Sequence, residues 1–115
     1  MTRPWLEEWR SHRIARVASQ VITSSGAVYN VLEEHRELIA AAPALMRALL
    51  MSEWAPGDAG FGCRACRGGR FAGERGHGAG CPVDAALTAV GLPDQERRDG
   101  ARAEIARMVR RAGPW

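Results

Sequence analysis

Thiolate sulfur and imidazole nitrogen are the donors a borderline-soft divalent cation prefers. This 115-residue chain gathers them in one stretch, Cys63-x2-Cys66-x10-His77-x3-Cys81. A Cys-x2-Cys pair sets both sulfurs on one side of a tight turn, the spacing of one tetrahedral edge. His77 and Cys81 supply the opposite edge, and Cys81 leads directly into Pro82, a favoured first helical residue. A thiolate at that position meets the positive end of the helix. The intervening glycines (Gly68, Gly69, Gly73, Gly76, Gly78 and Gly80) let a loop fold back close to an ion. Without an ion they could not hold a fixed shape. The expectation is one Zn2+ held by Cys63, Cys66, His77 and Cys81. Four protein ligands leave no open position for water, which favours a structural over a catalytic ion.

Other readings of the same residues compete. A Cys63–Cys66 redox pair would want a strand-to-helix context that this loop lacks. The cysteines could be free structural thiols, or His77 could be an exposed loop residue with Asp84 or His35 completing the shell. His12 and His35 read as surface or core-edge histidines. Arg64, Arg67, Arg70 and Arg75 decorate the loop against Asp58 and Glu74, with Phe61 and Phe71 among them. Arginine beside aromatics on a zinc knuckle can hold phosphates and stack bases. The plainer account is a solvated loop in an arginine-rich protein. Arg97, Arg98, Arg102, Arg107, Arg110 and Arg111 follow near the C-terminus, balanced in part by Glu96, Asp99 and Glu104. Arg107, Arg110 and Arg111 suit a helix C-terminus.

The elements that must position these groups belong to a chain of 12.5 kDa, the length of a single domain. It divides by pattern into 1–54, 55–82 and 83–115. Apolar residues make up 46%, but many are Ala, so the core is thin and a metal staple would compensate. The net charge of +3 is too small to imply nucleic acid by itself. Every basic residue is Arg, a composition that a GC-rich genome also produces. No apolar run approaches the ~20 residues needed to cross a bilayer. Glu7 and Glu8 stand where a signal peptide would begin its apolar stretch. A cytoplasmic protein without a membrane partner is expected, and the odd number of cysteines suits a reducing compartment. With no Ser/His/Asp or paired-carboxylate constellation, the chain is expected not to be an enzyme.

The pattern predicts an α+β fold: an N-terminal β-hairpin packed on a kinked helix, a zinc-clamped Gly-rich loop, and C-terminal helices. Pro4, Glu7 and Glu8 suggest a short helix within residues 1–13. Residues 14–23, rich in β-branched side chains, and 27–29 flank the turn Ser24-Ser25-Gly26 as a hairpin. Asn30 is placed as N-cap of the main helix, with Glu33 reaching back to it. The stripe Leu32, Leu38, Ile39, Ala42, Leu45, Met46, Leu49, Leu50 stays in phase across Pro43, predicting one kinked helix or two abutting at Ala42–Pro43. Residues 55–62 are read as a loop. A helix from Pro82 ends at Gly91, and another restarts after Leu92-Pro93-Asp94. Trp5, Trp9, Trp54 and Trp115 can serve either core or interface.

The segment 36–50, Arg-Glu-Leu-Ile-Ala-Ala-Ala-Pro-Ala-Leu-Met-Arg-Ala-Leu-Leu, resembles a recurrent stretch of small accessory proteins of tailed bacteriophages and prophages, where a hairpin precedes such a helix. Cys63 to Cys66, Gly76-His77 and the run from Cys81-Pro82-Val83-Asp84 to Leu87 resemble zinc modules appended to the same kind of protein. The sequence departs from that pattern at Arg36-Glu37 and at Met46. The resemblance covers about half the chain and implies a mobile-element origin with no catalytic residues to carry over. Beside that origin, the leading functional expectation is a non-enzymatic accessory protein that binds a host protein or other macromolecule in the bacterial cytoplasm. An inhibitor of a bacterial defence system is one such form. The other expectation is a small zinc-containing DNA- or RNA-binding regulator.

Overall fold

A computed structural model describes residues 3–57, 60–70 and 76–111. The fold is α+β, an antiparallel three-stranded sheet followed by helices. Residue contacts separate the chain into two compact units, Met1–Arg47 and Ala48–Trp115.

In the first unit, β1 (Trp9–Arg13), β2 (Ala18–Thr23) and β3 (Val28–Leu32) form a sheet in that order. The strands pair Trp9 with Thr23 and Arg13 with Ser19, then Ile22 with Val28 and Ala18 with Leu32. Period-two alternation buries Ser19, Val21 and Thr23 on one face of β2. The turn falls where the Ser-Ser-Gly signal places it. Gly26 takes φ 95°, its N–H donates to Thr23 O, and Thr23 N–H donates to Ala27 O.

Three expectations need correction here. The hairpin is a three-stranded sheet, because Trp9–Arg13 is extended and only Pro4–Leu6 makes a single 3-10 turn. Residues 14–17 are the connection back from β1 rather than part of a strand. Arg13 holds them by donating to Ala15 O and Arg16 O, and the amides of Ile14 and Ala15 donate to Ala18 O. Asn30 is not an N-cap. It lies in β3, where its side-chain oxygen accepts from Gln20 Nε2 at 3.2 Å across the sheet. Glu33 likewise accepts from the Ser19 hydroxyl instead of capping a helix.

The helical segment therefore opens later, with a 3-10 turn at Glu33–His35, α1 (Arg36–Ala40) and α2 (Ala42–Ser52). Of the two alternatives at Pro43, the structure takes the abutting pair. Pro43 has no N–H to continue the ladder, and Ala41 turns the chain. α1 packs against β1 and β2, the sheet-on-helix arrangement expected of a hairpin too small to stand alone. Along α2 the buried positions are Pro43, Met46 and Leu50.

In the second unit, residues expected as loop form a second small sheet, β4 (Ala55–Gly57), β5 (Gly60–Gly62) and β6 (Gly69–Arg70). Its side chains carry almost no strand propensity. What defines it is backbone pairing, Ala55 with Gly62 and Gly62 with Gly69. α3 (Pro82–Ala89) and α4 (Gln95–Arg111) follow as the sequence predicts. Gly91 at φ 94° closes α3, and the Asp94 carboxylate accepts from Arg97 N–H at 2.9 Å to start α4. Leu50, Leu87, Leu92, Ala101 and Ile105 form the apolar core of this unit, together with the buried Cys63 and Cys81. No helix among the described residues is long and apolar enough to cross a membrane.

Candidate metal centre

β5 delivers Cys63 and the chain then turns tightly to Cys66. The turn closes with Arg67 N–H on Cys63 O at 2.7 Å and Cys63 N–H on Gly68 O at 2.9 Å. Arg67 adopts φ 61° to complete it, a left-handed conformation glycine would take more easily. Gly68 is required by space, since a Cβ there would stand 2.1 Å from Gly76 O. That close approach, with Gly76 N–H on Gly69 O at 3.0 Å, brings the His77 segment beside the knuckle. Cys81 is the residue before α3, with its carbonyl already accepting from Ala85 N–H.

These two arms bring all four expected ligands together. One donor atom from each of Cys63, Cys66, His77 and Cys81 lies within 4.8 Å of the others, so the group can hold a metal ion. Cys63 Sγ and Cys81 Sγ are 3.7 Å apart, and His77 Nδ1 is 3.5 Å from both Cys66 Sγ and Cys81 Sγ. The cysteines are free; 3.7 Å is far beyond the ~2.05 Å of a disulfide bond. His35 pairs with Glu34, and Asp84 pairs with Arg98. Neither belongs to the group.

The backbone favours ionisation at one of the sulfurs, Cys66. Cys66 is partly buried, which opposes charge, but the N–H groups of Gly78 (3.3 Å) and Gly68 (3.4 Å) and the His77 ring outweigh burial and bring the thiol down to about 6. At Cys63 burial wins over the amides of Cys66 and Ala65 and pushes the thiol up. A cation would supply the charge that Cys63 lacks.

The imidazole is held from behind. His77 Nε2 lies 2.6 Å from Glu53 Oε2, and the Trp54 indole stacks on the ring at 4.3 Å between centroids and 20° between planes. Glu53 is fully buried at the end of α2. Its carboxylate also receives Arg98 Nη1 at 2.9 Å and the guanidinium of Arg102. Arg98, itself buried, spends its remaining donors on Leu92 O, Asp84 and Thr88. Arg102 donates to Leu50 O and Asp99, and burial lowers its pKa. Two of the six arginines counted near the C-terminus, Arg98 and Arg102, are therefore internal partners of one carboxylate.

Glu53 escaped the sequence reading, and Trp54, Arg98 and Arg102 were not placed beside the ligands, although a signal exists. Glu53 falls in register with the buried positions 43, 46 and 50 of α2. Arg98 falls in register with Ala101 and Ile105 of α4. A charged residue continuing the apolar stripe of α2 and another on that of α4 point to pairing, because such residues are rarely buried unless paired.

Of the loop arginines, Arg64 and Arg67 are exposed on the knuckle, and Phe61 on β5 is 45% exposed. Arg70 ends β6, its backbone opposite Phe61. Arg75, Phe71, Asp58, Glu74 and Trp115 lie outside the described residues.

Fold and site together define a small α+β protein with a Cys3His group able to hold a metal ion. No family model matches this chain, and neither does any curated protein or solved structure.

Proposed function

We propose that this chain is a non-enzymatic binding protein built around one structural zinc ion at Cys63, Cys66, His77 and Cys81. The carrying observation is the set of donor separations. Zinc bonds of ~2.3 Å to sulfur and ~2.0–2.1 Å to nitrogen, at tetrahedral angles, put two thiolates about 3.8 Å apart and a thiolate and imidazole about 3.5 Å apart. The chain holds Cys63 and Cys81 Sγ at 3.7 Å and His77 Nδ1 at 3.5 Å from Cys66 and Cys81 Sγ, with all four donors within 4.8 Å of one another. Four protein donors close the shell, and a closed shell is structural.

The same atoms admit a catalytic reading, which the geometry disfavours. Cys66, His77 and Glu53 follow the order of nucleophile, base and orienting carboxylate. Yet Nδ1 is equidistant from Cys66 and Cys81, so the imidazole is not dedicated to one thiol, and Cys63 has no role in such a triad. Metal analysis of the purified protein separates the readings. One zinc per chain, with all three thiols protected from iodoacetamide until a chelator is added, supports the structural ion. Metal-free protein whose Cys66 alone alkylates rapidly would overturn it.

The binding role is a phage-type accessory one, in which the protein acts on a bacterial host macromolecule by stoichiometric contact, as an inhibitor of a defence system does. Its support is the resemblance of the segment 36–50 together with a closed metal shell that offers no chemistry. A second reading, nucleic-acid binding, draws on Arg64 and Arg67, exposed on the knuckle, and on the exposed Phe61. Capture from a bacterial lysate across a salt series distinguishes them. A host protein retained at high salt after nuclease treatment favours the first, and steeply salt-dependent retention of DNA or RNA favours the second.

A further inference from the structure

A Cys3His zinc centre has three thiolates, one neutral imidazole and a divalent ion, and so carries one net negative charge. Glu53 stands directly behind it, and a bare buried carboxylate there would add to that charge at high cost. The structure resolves this with two guanidinium groups, Arg98 and Arg102, one helical turn apart on α4 and both directed at Glu53. The two cations and one carboxylate leave one net positive charge against the centre. Asp84 and Asp99, which take the outer sides of the arginines, are 43% and 44% exposed. Water screens their contribution.

We infer that Glu53 is the positioning residue of the metal centre: it accepts the proton on His77 Nε2, which fixes Nδ1 as the metal donor, and it ties the centre to α4 through Arg98 and Arg102. The inference rests on the zinc reading above. An imidazole has two nitrogens, and which one meets the metal depends on what holds the other. Here Nε2 faces a fully buried carboxylate at 2.6 Å while Nδ1 faces two sulfurs at 3.5 Å. Trp54 restrains rotation of the ring about Cβ–Cγ, which would turn both nitrogens away from these partners, because it stacks on the ring and is itself anchored by Nε1 on Gln95 Oε1 at 3.3 Å. Glu53 therefore does for the metal what no ligand does. It sets the tautomer of His77, and it places the charge of α4 where the thiolates need it.

The test uses the full chain loaded with Zn2+. Long-range proton–nitrogen correlation of the His77 ring should show Nδ1 coordinated and Nε2 carrying a downfield, slowly exchanging proton. Competition against a chromophoric chelator should show Glu53→Gln binding Zn2+ about 10- to 100-fold more weakly than wild type. The Nε2 proton should move upfield in that variant. A wild-type ring coordinated through Nε2 overturns the inference while zinc binding stands. So does a folded Glu53→Gln protein with affinity within twofold of wild type and an unchanged ring spectrum. Should Glu53→Gln fail to fold, the wild-type ring spectrum alone decides. A wild-type chain that takes up no zinc overturns the structural-zinc reading and this inference with it.

Discussion

The sheet of residues 9–32 and the knuckle sheet of residues 55–70 both consist of three short antiparallel strands, but they are ordered by different means. The first has side chains that specify it. β2 alternates strictly, with Val21 fully buried, and its buried polar groups are answered locally, Ser19 by Glu33 and Thr23 by Ser25 and the Ala27 amide. The second has glycine at four of its eight strand positions and little apolar area to bury. Its order comes from the convergence of Cys63, Cys66, His77 and Cys81, backed by Glu53 and its two arginines. One sheet is held by its own faces, the other by a centre to which it delivers ligands.

The largest expected effect follows from removing that centre. Structural zinc contributes on the order of 10 kcal/mol in small finger peptides, comparable with the whole stability of a domain. Cys66→Ser, or a strong chelator, should leave residues 55–82 without protected amides in hydrogen exchange. The β1–β3 amides should keep their protection. Loss of protection in both regions at once would erase the contrast between them.

A smaller effect separates buried from exposed arginine on one helix. Arg98→Ala leaves Glu53 buried with a partner missing and should cost about 3–5 kcal/mol in urea denaturation. Arg97→Ala, next in the chain but exposed and paired with the exposed Asp94, should cost well under ~1 kcal/mol. Equal costs would show that the carboxylate cluster does not support the second unit.

In the first unit the corresponding carboxylate is Glu33. The Ser19 hydroxyl, against an opposing effect of burial and with help from Arg36, holds its pKa below the ordinary carboxylate value. A depressed folded-state pKa stabilises the fold above the unfolded-state value of about 4.3, and that stability is lost as pH falls through the folded value. Wild type should therefore lose stability to acid in this window by more than Glu33→Gln does. Parallel pH profiles would dismiss the contribution.

The smallest effect is a gain. Arg67 sits at φ 61°, and replacing it with glycine relieves a cost of ~1 kcal/mol that the added freedom of the unfolded chain partly cancels. Arg67→Gly should raise stability by about 0.5 kcal/mol or less. If knuckle arginines bind nucleic acid, the same variant should weaken that binding and flatten its salt dependence.

Legibility differed between the regions, and the reasons are local. Ser24-Ser25-Gly26 marks a turn because only glycine accepts the φ that closes it. Pro82 and Gly91 bracket α3 for similarly local reasons. Strand β1 was not legible: Trp-Arg-Ser-His-Arg has no β-branched residue, and only the free edge of β2 makes it a strand. Asn30 and Glu33 matched a helix-capping pattern that lost to cross-strand partners, Gln20 and Ser19, which no local window contains. The strands β4–β6 left no trace in side chains, since their glycines pair through backbone alone.

By itself the sequence determined the donor set. Three cysteines and a histidine at those spacings, with glycine between them and Pro82 after, leave few geometries, and their chemistry is a property of the residues. Only the tertiary structure decided what stands behind the donors. Glu53 and Arg98 are 45 residues apart, and no short-range pattern links them. Charged side chains read as solvated until packing removes the water, and only then must a carboxylate, two guanidinium groups and an imidazole satisfy one another.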